Sequence, residues 1–170
     1  MEIRLLGPED AAAFSKVRLE GLQKDPDAFG ALYEEEIKRT DAEWKERLSN
    51  AHTGESGFFG AFIEGEIVGI IGFFRHRGTK VRHKVSVVSM YVSESHRGTG
   101  IAAGLMQEEI SYLKKLGDVD QVQLAVVTSN PAAVRFYEKM GFLPYAFEKK
   151  ALKIGDRYVD ETHMYMMINE

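Results

Sequence analysis

The stretch that decides the fold is MYVSESHRGTGIAAGLM, residues 90–106. An apolar, β-type run ends at Val92, an apolar helical pattern begins near Gly100, and a glycine-containing turn joins the two. Such a turn places successive backbone N–H groups at a helix N-terminus, where they have no partner inside the helix and where the macrodipole adds partial positive charge. We therefore expect this turn to bind an anion, and a phosphate group suits it best.

Residue types within the turn favour the same ligand. Gly98 and Gly100 allow close approach of the backbone and accept a positive φ, and Arg97 adds positive charge. The spacing from Gly98 to Ala103 also matches the glycine pattern of dinucleotide-binding oxidoreductases. That alternative lacks its usual context, because the motif follows antiparallel-type strands and the next strand does not end in an acidic residue. A Walker A loop is excluded, since no Gly-Lys-Ser/Thr follows.

Upstream of the turn, the chain changes from helical to β-type patterns at Gly57. A short strand over residues 3–6 precedes a helix that ends near Lys24, and residues 29–48 predict one or two short helices with Asp41 as an N-cap. The apolar runs on either side of Glu64-Gly65 predict a hairpin, and the run before Val92 adds a third antiparallel strand.

Downstream of the turn, two helices alternate with strands. The first helix spans residues 100–116 with Gly117 as its C-cap, and VQLAVV at residues 122–127 predicts a buried strand. Asn130-Pro131 combines an N-cap with a favoured first-turn proline, and two closing strands flank Gly155-Asp156. The whole pattern predicts a single α+β domain over residues 1–170.

Composition narrows the possible classes of protein. The 170 residues carry a formal net charge of −4, which argues against nucleic acid as the main partner. The absence of cysteine excludes disulfides, thiolate zinc sites and cysteine nucleophiles, and the five histidines form no HExxH motif, so we expect no metal. We find no signal-peptide pattern and no apolar run long enough to span a bilayer, which predicts a cytoplasmic protein.

Two segments together carry a resemblance to a known family. RGTGIA at residues 97–102 resembles the Arg/Gln-x-x-Gly-x-Gly/Ala signature of the GNAT superfamily of N-acetyltransferases. SNPAAVRFYEKMGF at residues 129–142 resembles the second signature of that family, about thirty residues later with a strand between. Over residues 57–168 the resemblance implies a GNAT-like acyl-CoA N-acyltransferase fold, a mixed and mostly antiparallel seven-stranded sheet flanked by helices.

The resemblance also implies a cofactor site for acetyl-CoA. A bulged fourth strand would splay from the fifth and leave a strand edge to which the pantetheine arm can pair. Asn130 would combine its capping role with a contact to the cofactor, beside the small Ala133. The implied cofactor-binding residues are Met90, Tyr91, Val92, Arg97, Gly98, Thr99, Gly100, Ile101, Ala102, Asn130, Ala133 and Tyr137.

By resemblance Tyr137 is the catalytic residue, a general acid that protonates the departing CoA thiolate. From the residues alone, it also fits simple aromatic packing beside Phe136 and Phe142. The implied reaction is direct attack of a primary amine on acetyl-CoA, with a backbone N–H near Val92 polarising the carbonyl. The base that deprotonates the amine is not identified by the sequence, although Glu34 and Glu94 are candidates.

The acceptor is the least defined partner. We expect it to contact residues 29–48 and a loop at residues 151–160, and to be a small-molecule amine or a protein or peptide amine. Two other functions stay open: a non-catalytic acyl-CoA-binding sensor, and a nucleotide-dependent oxidoreductase that uses the same glycines. The resemblance also allows a homodimer.

Two clusters of charge are assigned to solvent. The basic segment at residues 75–84 is expected to be a solvated hairpin tip at the end of the sheet opposite the glycine turn. The run Glu34-Glu35-Glu36 is interpreted as a solvated helix face.

Overall fold

Seven strands form one sheet in the order β1-β2-β3-β4-β5-β7-β6 in the computed structural model, which describes residues 1–169. The strands are β1 (Glu2–Leu5), β2 (Ser56–Ile63), β3 (Glu66–Arg75), β4 (Lys84–Val92), β5 (Gln121–Val127), β6 (Leu143–Ile154) and β7 (Arg157–Met167). The helices are α1 (Ala11–Lys24), α2 (Tyr33–Glu36), α3 (Asp41–Ser49), α4 (Ile101–Leu116) and α5 (Pro131–Lys139). The predicted seven-stranded α+β sheet is confirmed.

The sheet is mixed but mostly antiparallel, as predicted. Within residues 1–169, only β4 and β5 run parallel, and α4 is the crossover between them. The hairpin between β2 and β3 turns through Glu64 and Gly65, with φ of 52° and 85°. Two successive positive φ values match the right-handed twist of the flanking strands, which is why Gly suits the second position.

Apolar side chains on both sides of the strands give the sheet two buried faces. On one, here called the α4 face, Val87 and Val122 pack with Leu105 and Met106 of α4, and α5 covers the same cluster. On the other, the α1 face, Phe58 and Ile70 pack with Phe14 of α1 and Trp44 of α3. Because successive side chains of a strand point to opposite faces, the face of any strand residue follows from its neighbours.

The β4 strand carries a bulge and then leaves its parallel neighbour. Gly72 pairs with Val88 whereas Ile70 pairs with Tyr91, so β4 has one extra residue there, and Ser89 takes a φ of 60°. Pairing between β4 and β5 covers only three residue pairs, from Lys84 opposite Gln121 to Ser86 opposite Gln123. Beyond this point the two strands diverge and leave a gap in the sheet, as the family resemblance implied.

Two local interpretations of the sequence are wrong in detail. Thr40, and not Asp41, is the N-cap of α3, because its hydroxyl accepts a hydrogen bond from the Glu43 N–H and the Glu43 carboxylate accepts one from the Thr40 N–H. This reciprocal capping box satisfies two otherwise unpaired donors. The 151–160 loop is also absent, because β6 and β7 continue to a turn at residues 155–156.

Two arginine-bound carboxylates explain the other corrections. Arg75 is 6% exposed at the end of β3, where it pairs with Asp118 at 2.8 Å, so the basic segment begins in the core and not in solvent. Glu36 is 4% exposed and pairs with Arg18 at 2.6 Å, so it does not belong to a solvated face. A buried charge needs such a partner to offset its lost hydration.

No helix within residues 1–169 is both long and apolar enough to cross a membrane. The assignment of the chain to a single domain stays a prediction.

Candidate active site

A cleft of about 1360 Å³ follows the gap between β4 and β5 and reaches both faces of the sheet. Every predicted cofactor residue except Thr99 lines this cleft. The exception has a local cause, because the Thr99 hydroxyl donates a hydrogen bond to the His96 carbonyl at 2.6 Å. The cleft is also lined by Ala103, whose N–H belongs to the first turn of α4 and which the sequence interpretation did not include.

The glycine turn has the conformation that the sequence predicts. Gly98 and Gly100 have φ of 74° and 87°, and α4 begins immediately afterwards at Ile101. A Cβ atom built on either glycine would meet no atom within 4 Å, so crowding by the protein does not explain the glycines. The space beside them is open, and the unpaired N–H groups at the start of α4 face a position where an anion can be bound.

Arg97 contributes to the same end of the cleft but is partly engaged within the protein. Its Nε donates to the Val92 carbonyl at 3.0 Å, and its Nη2 donates to Asp25 at 2.5 Å. The guanidinium is thereby fixed beside the glycine turn, between β4 and the segment that follows α1. An anion at this position would compete with Asp25 for one side of the guanidinium fork.

The edge of β4 presents a free donor to the gap. The Ser93 N–H bonds to the Val68 carbonyl at 2.9 Å, so Val92 and Gly69 form a non-hydrogen-bonded pair of the β3–β4 ladder. In that pattern the Val92 N–H points away from β3. It therefore points toward the gap, where the sequence interpretation places the donor that polarises the thioester carbonyl.

Asn130 and Ala133 lie together at the start of α5, on the other side of the cleft. The Asn130 Oδ1 atom accepts a hydrogen bond from the Ala133 N–H at 3.1 Å, which confirms the predicted N-cap. Both residues line the cleft. The cap fixes the first turn of α5 and thereby the direction of the helix that carries Tyr137.

Tyr137 is half-buried and lines the cleft. Its ring packs edge-to-face on Phe136 and Phe142, with centroid distances of 5.2 and 6.0 Å. The packing and cleft-lining interpretations are therefore both satisfied by one side chain. Burial, followed by the negative charge that Glu109 would carry, raises the pKa of the Tyr137 phenol, so the phenol keeps its proton at neutral pH.

An acidic cluster that the sequence interpretation missed lines the cleft on the α1 face. Glu161 and His163 on β7 point to this face, since they pair with Val127 and Ala125 of β5. The His163 Nε2 atom lies 2.7 Å from a carboxylate oxygen of Glu148 on β6. Burial raises the pKa of the Glu161 carboxyl, which makes Glu161 a stronger base than an exposed glutamate.

The same cluster bears on the expectation of no metal. One ligand atom each from Glu148, Glu161 and His163 lies within 4.8 Å of the others, a spacing that is compatible with a cation. Nothing else at the cluster points to a metal, and the absence of a metal stays a prediction. The signal that could have identified the cluster is the alternation in the DETHMY run, which places residues 161 and 163 on one face.

The two bases suggested by the sequence are not beside the cleft. Glu34 lies on α2 and Glu94 lies in a short 3₁₀ turn before the glycine turn, and neither is among the lining residues. Of the regions expected to contact an acceptor, the start of the 29–48 segment lines the cleft through Phe29 to Ala31, whereas the β6–β7 turn region contributes Arg157. Arg157 donates to Asp27 at 2.9 Å and so connects the β6–β7 turn region to the 3₁₀ turn at Pro26–Ala28, which directly precedes Phe29.

The sequence and the fold of this chain are both similar to those of known proteins. Residues 20–142 match the model of the Acetyltransferase (GNAT) family. An N-alpha-acetyltransferase from Sulfurisphaera tokodaii is 33% identical over 121 residues, covering 66% of this chain and 68% of the relative. A GNAT-family acetyltransferase from Streptococcus pneumoniae has a TM-score of 0.84 and 25% identity, covering 98% of both chains. The protein yncA from Salmonella typhimurium, solved with acetyl-CoA, has a TM-score of 0.80 and 20% identity, covering 100% of this chain and 95% of yncA.

Proposed function

This chain belongs to the GNAT family of acetyltransferases, and we propose that it transfers the acetyl group of acetyl-CoA to a primary amine by direct attack. The observation that carries the proposal is the meeting of two features along one cleft. A helix N-terminus with left-handed glycines offers donors for a pyrophosphate, and the diverging edge of β4 offers a row of backbone groups for a pantetheine arm. Acetyl-CoA is the cosubstrate that fits both.

In the proposed reaction, the lone pair of a neutral amine forms a bond to the thioester carbon. The carbonyl oxygen gains negative charge, which the Val92 N–H stabilises as an oxyanion-hole donor. The carbon–sulfur bond then breaks, and the sulfur leaves with the electron pair as a thiolate. The nitrogen loses one proton and the sulfur gains one, so the products are an acetylated amine and CoA.

Tyr137 is the proposed acid for the leaving sulfur. Because its phenol stays protonated, it can donate a hydrogen bond to the thiolate as charge develops there. Its position on α5, behind the N-cap at Asn130, holds the ring at the cleft through packing on Phe142. The remaining predicted cofactor residues act in this scheme mostly through backbone groups or small size, and Arg97 adds positive charge beside the glycine turn.

Glu161 is the proposed base for the amine. It lines the cleft on the α1 face, and burial raises its pKa toward the range in which a carboxylate accepts a proton effectively. The hydrogen-bonded pair of Glu148 and His163 lies beside it and can pass the proton toward solvent. A cytoplasmic location and a homodimer stay predictions from the sequence and its resemblance.

A thermal melt with acetyl-CoA, CoA and NAD tests the cofactor, each ligand near a hundredfold above its dissociation constant. A bound ligand at that level adds about 2.7 kcal/mol, which corresponds to a shift of roughly 5–10 °C for a chain of this size. We expect the shift with both CoA compounds and none with NAD. The release of free thiol from acetyl-CoA in a pool of primary amines then tests the transfer, and no stabilisation by CoA would refute the proposal.

A further inference from the structure

The wall of the cleft on the α1 face is built around one buried carboxylate. Glu36 accepts hydrogen bonds from Arg18 at 2.6 Å and from Arg47 at 2.7 Å, and Arg39 lies 3.8 Å away. Arg18 and Arg47 line the cleft, whereas Arg39 does not. Helix α1, helix α3 and the segment between α2 and α3 therefore each bring one guanidinium group to a single negative charge.

This wall carries excess positive charge. Arginine stays protonated in proteins, so Arg18, Arg39 and Arg47 together exceed the charge of Glu36 by two. The Arg47 side chain is 25% exposed, and among the described residues it donates one hydrogen bond, from Nη1 to Glu36. Burial, followed by the charge of Arg18, lowers the pKa of Arg47, whereas its hydrogen bond to Glu36 acts in the opposite direction. A second anion bound at Arg47 would offset part of the excess positive charge of the cluster.

A hydrogen bond joins this wall to the place of reaction. Arg18 Nη1 donates to the Ser89 hydroxyl at 2.6 Å, and Ser89 is the positive-φ residue of the β4 bulge. The bulge adjoins Met90 and Val92, where the proposed thioester lies. Arg18 is therefore hydrogen-bonded to β4 at Ser89, three positions before Val92, the proposed oxyanion-hole donor. On the same face, Glu161 supplies negative charge from β7.

From this arrangement we propose that the Arg47 wall binds an anionic group of the acceptor, and that the acceptor is a primary amine that also carries a carboxylate. The inference rests on the proposed function and names its substrate class. Guanidinium presents a planar fork of donors that matches a carboxylate, while Glu161 attracts the amino group at the other side of the cleft. An acceptor that carries both an amino group and a carboxylate, such as an amino acid, offers a group to each of these two side chains.

Binding can be measured without turnover, because Trp44 is the only tryptophan and Arg47 lies 5.9 Å from its ring. We would titrate the protein, saturated with CoA, with pairs that differ only by the carboxylate: L-phenylalanine and phenethylamine, L-leucine and isoamylamine, L-histidine and histamine. We expect at least about tenfold tighter binding of the amino acid in one or more pairs, read from Trp44 emission. Equal or tighter binding of the decarboxylated amine in every pair, or no response to any amino acid, would overturn the inference.

Arg47→Gln should remove the preference for the carboxylate. Arg39→Gln is the matched control, because Arg39 also lies beside Glu36 but does not line the cleft. Loss of the preference in both variants would indicate that the summed positive charge of the cluster attracts the carboxylate, and it would overturn the assignment to Arg47. Thiol release from acetyl-CoA is followed with the same pairs. A carboxylate preference in binding without thiol release would refute acetyl transfer alone, and thiol release without a preference would refute the anion site alone.

Discussion

Replacing Glu109 with leucine should stabilise the protein, and the gain should grow with pH. Glu109 is 0% exposed on the inner side of α4, in line with the equally buried Leu105 and Leu113. Neither of its carboxylate oxygens has a hydrogen-bond partner among the described residues. An unsatisfied buried polar group costs about 1–3 kcal/mol, and a leucine of similar size removes that cost while it continues the apolar stripe.

The pH dependence follows from the sign of the pKa shift. Burial raises the pKa of Glu109 well above 4.5, so the folded chain binds a proton that the unfolded chain releases. Stability is therefore lost as the pH rises above 4.5, by about 1.4 kcal/mol per unit, until the folded-state pKa is reached. Glu109→Leu has no such group, so the difference between the two proteins should widen over that interval.

Urea unfolding followed by the emission of Trp44, at pH 5, 6, 7 and 8, measures this difference. Trp44 is 4% exposed in the core of the α1 face and reports the loss of tertiary packing. Glu108→Leu is the matched control, because Glu108 is the exposed neighbour and its replacement should change stability by no more than about 0.5 kcal/mol. A variant Glu109→Leu that is less stable at every pH, or that differs by a constant amount, would refute the reasoning.

Three further predictions concern the cleft. Gly100→Val and Gly117→Val each force a non-glycine residue into a left-handed position at one end of α4, at a cost of about 1–2 kcal/mol in folding free energy. Only Gly100→Val should abolish acetyl-CoA binding measured by calorimetry, and equal affinities of the two variants would contradict the phosphate site. Tyr137→Phe should lower turnover by a factor of about 10² and leave acetyl-CoA affinity unchanged, and a wild-type rate would remove its role as an acid. Alanine at both Arg77 and Lys80 should not alter acetyl-CoA affinity, since neither residue lines the cleft, and a large loss would show that phosphates bind elsewhere.

The parts of the fold that were predicted correctly rest on local signals. The left-handed glycines at residues 98 and 100, the Asn130 cap and the turn at Glu64-Gly65 each follow from the conformational preferences of one or two residues. Alternating and helical patterns then gave the strands and helices approximate bounds. No residue pattern in β4 predicts its bulge, which is an expectation from the family resemblance alone.

The errors concern charges whose partners are distant in sequence. The run of three glutamates predicts a solvated Glu36, yet Arg18 and Arg47, at separations of 18 and 11 residues, enclose its carboxylate. Arg75 was misassigned for the same reason, since its partner Asp118 is 43 residues away. Glu161 was overlooked as a base because only the pairing of β7 with β5 brings it to the cleft. Pairings of this length depend on topology, which no local pattern contains.

The short parallel ladder between β4 and β5 has a consequence for the amount of enzyme in a cell. Three residue pairs join strands β1–β4 to strands β5–β7, so a pantetheine arm in the gap would act as a missing strand and connect the two halves of the sheet. A ligand that binds only the folded state shifts the folding equilibrium by mass action. Proteases that degrade opened chains would then remove this enzyme faster when acetyl-CoA and CoA are both scarce. Its abundance would follow the total supply of CoA compounds without any dedicated regulator.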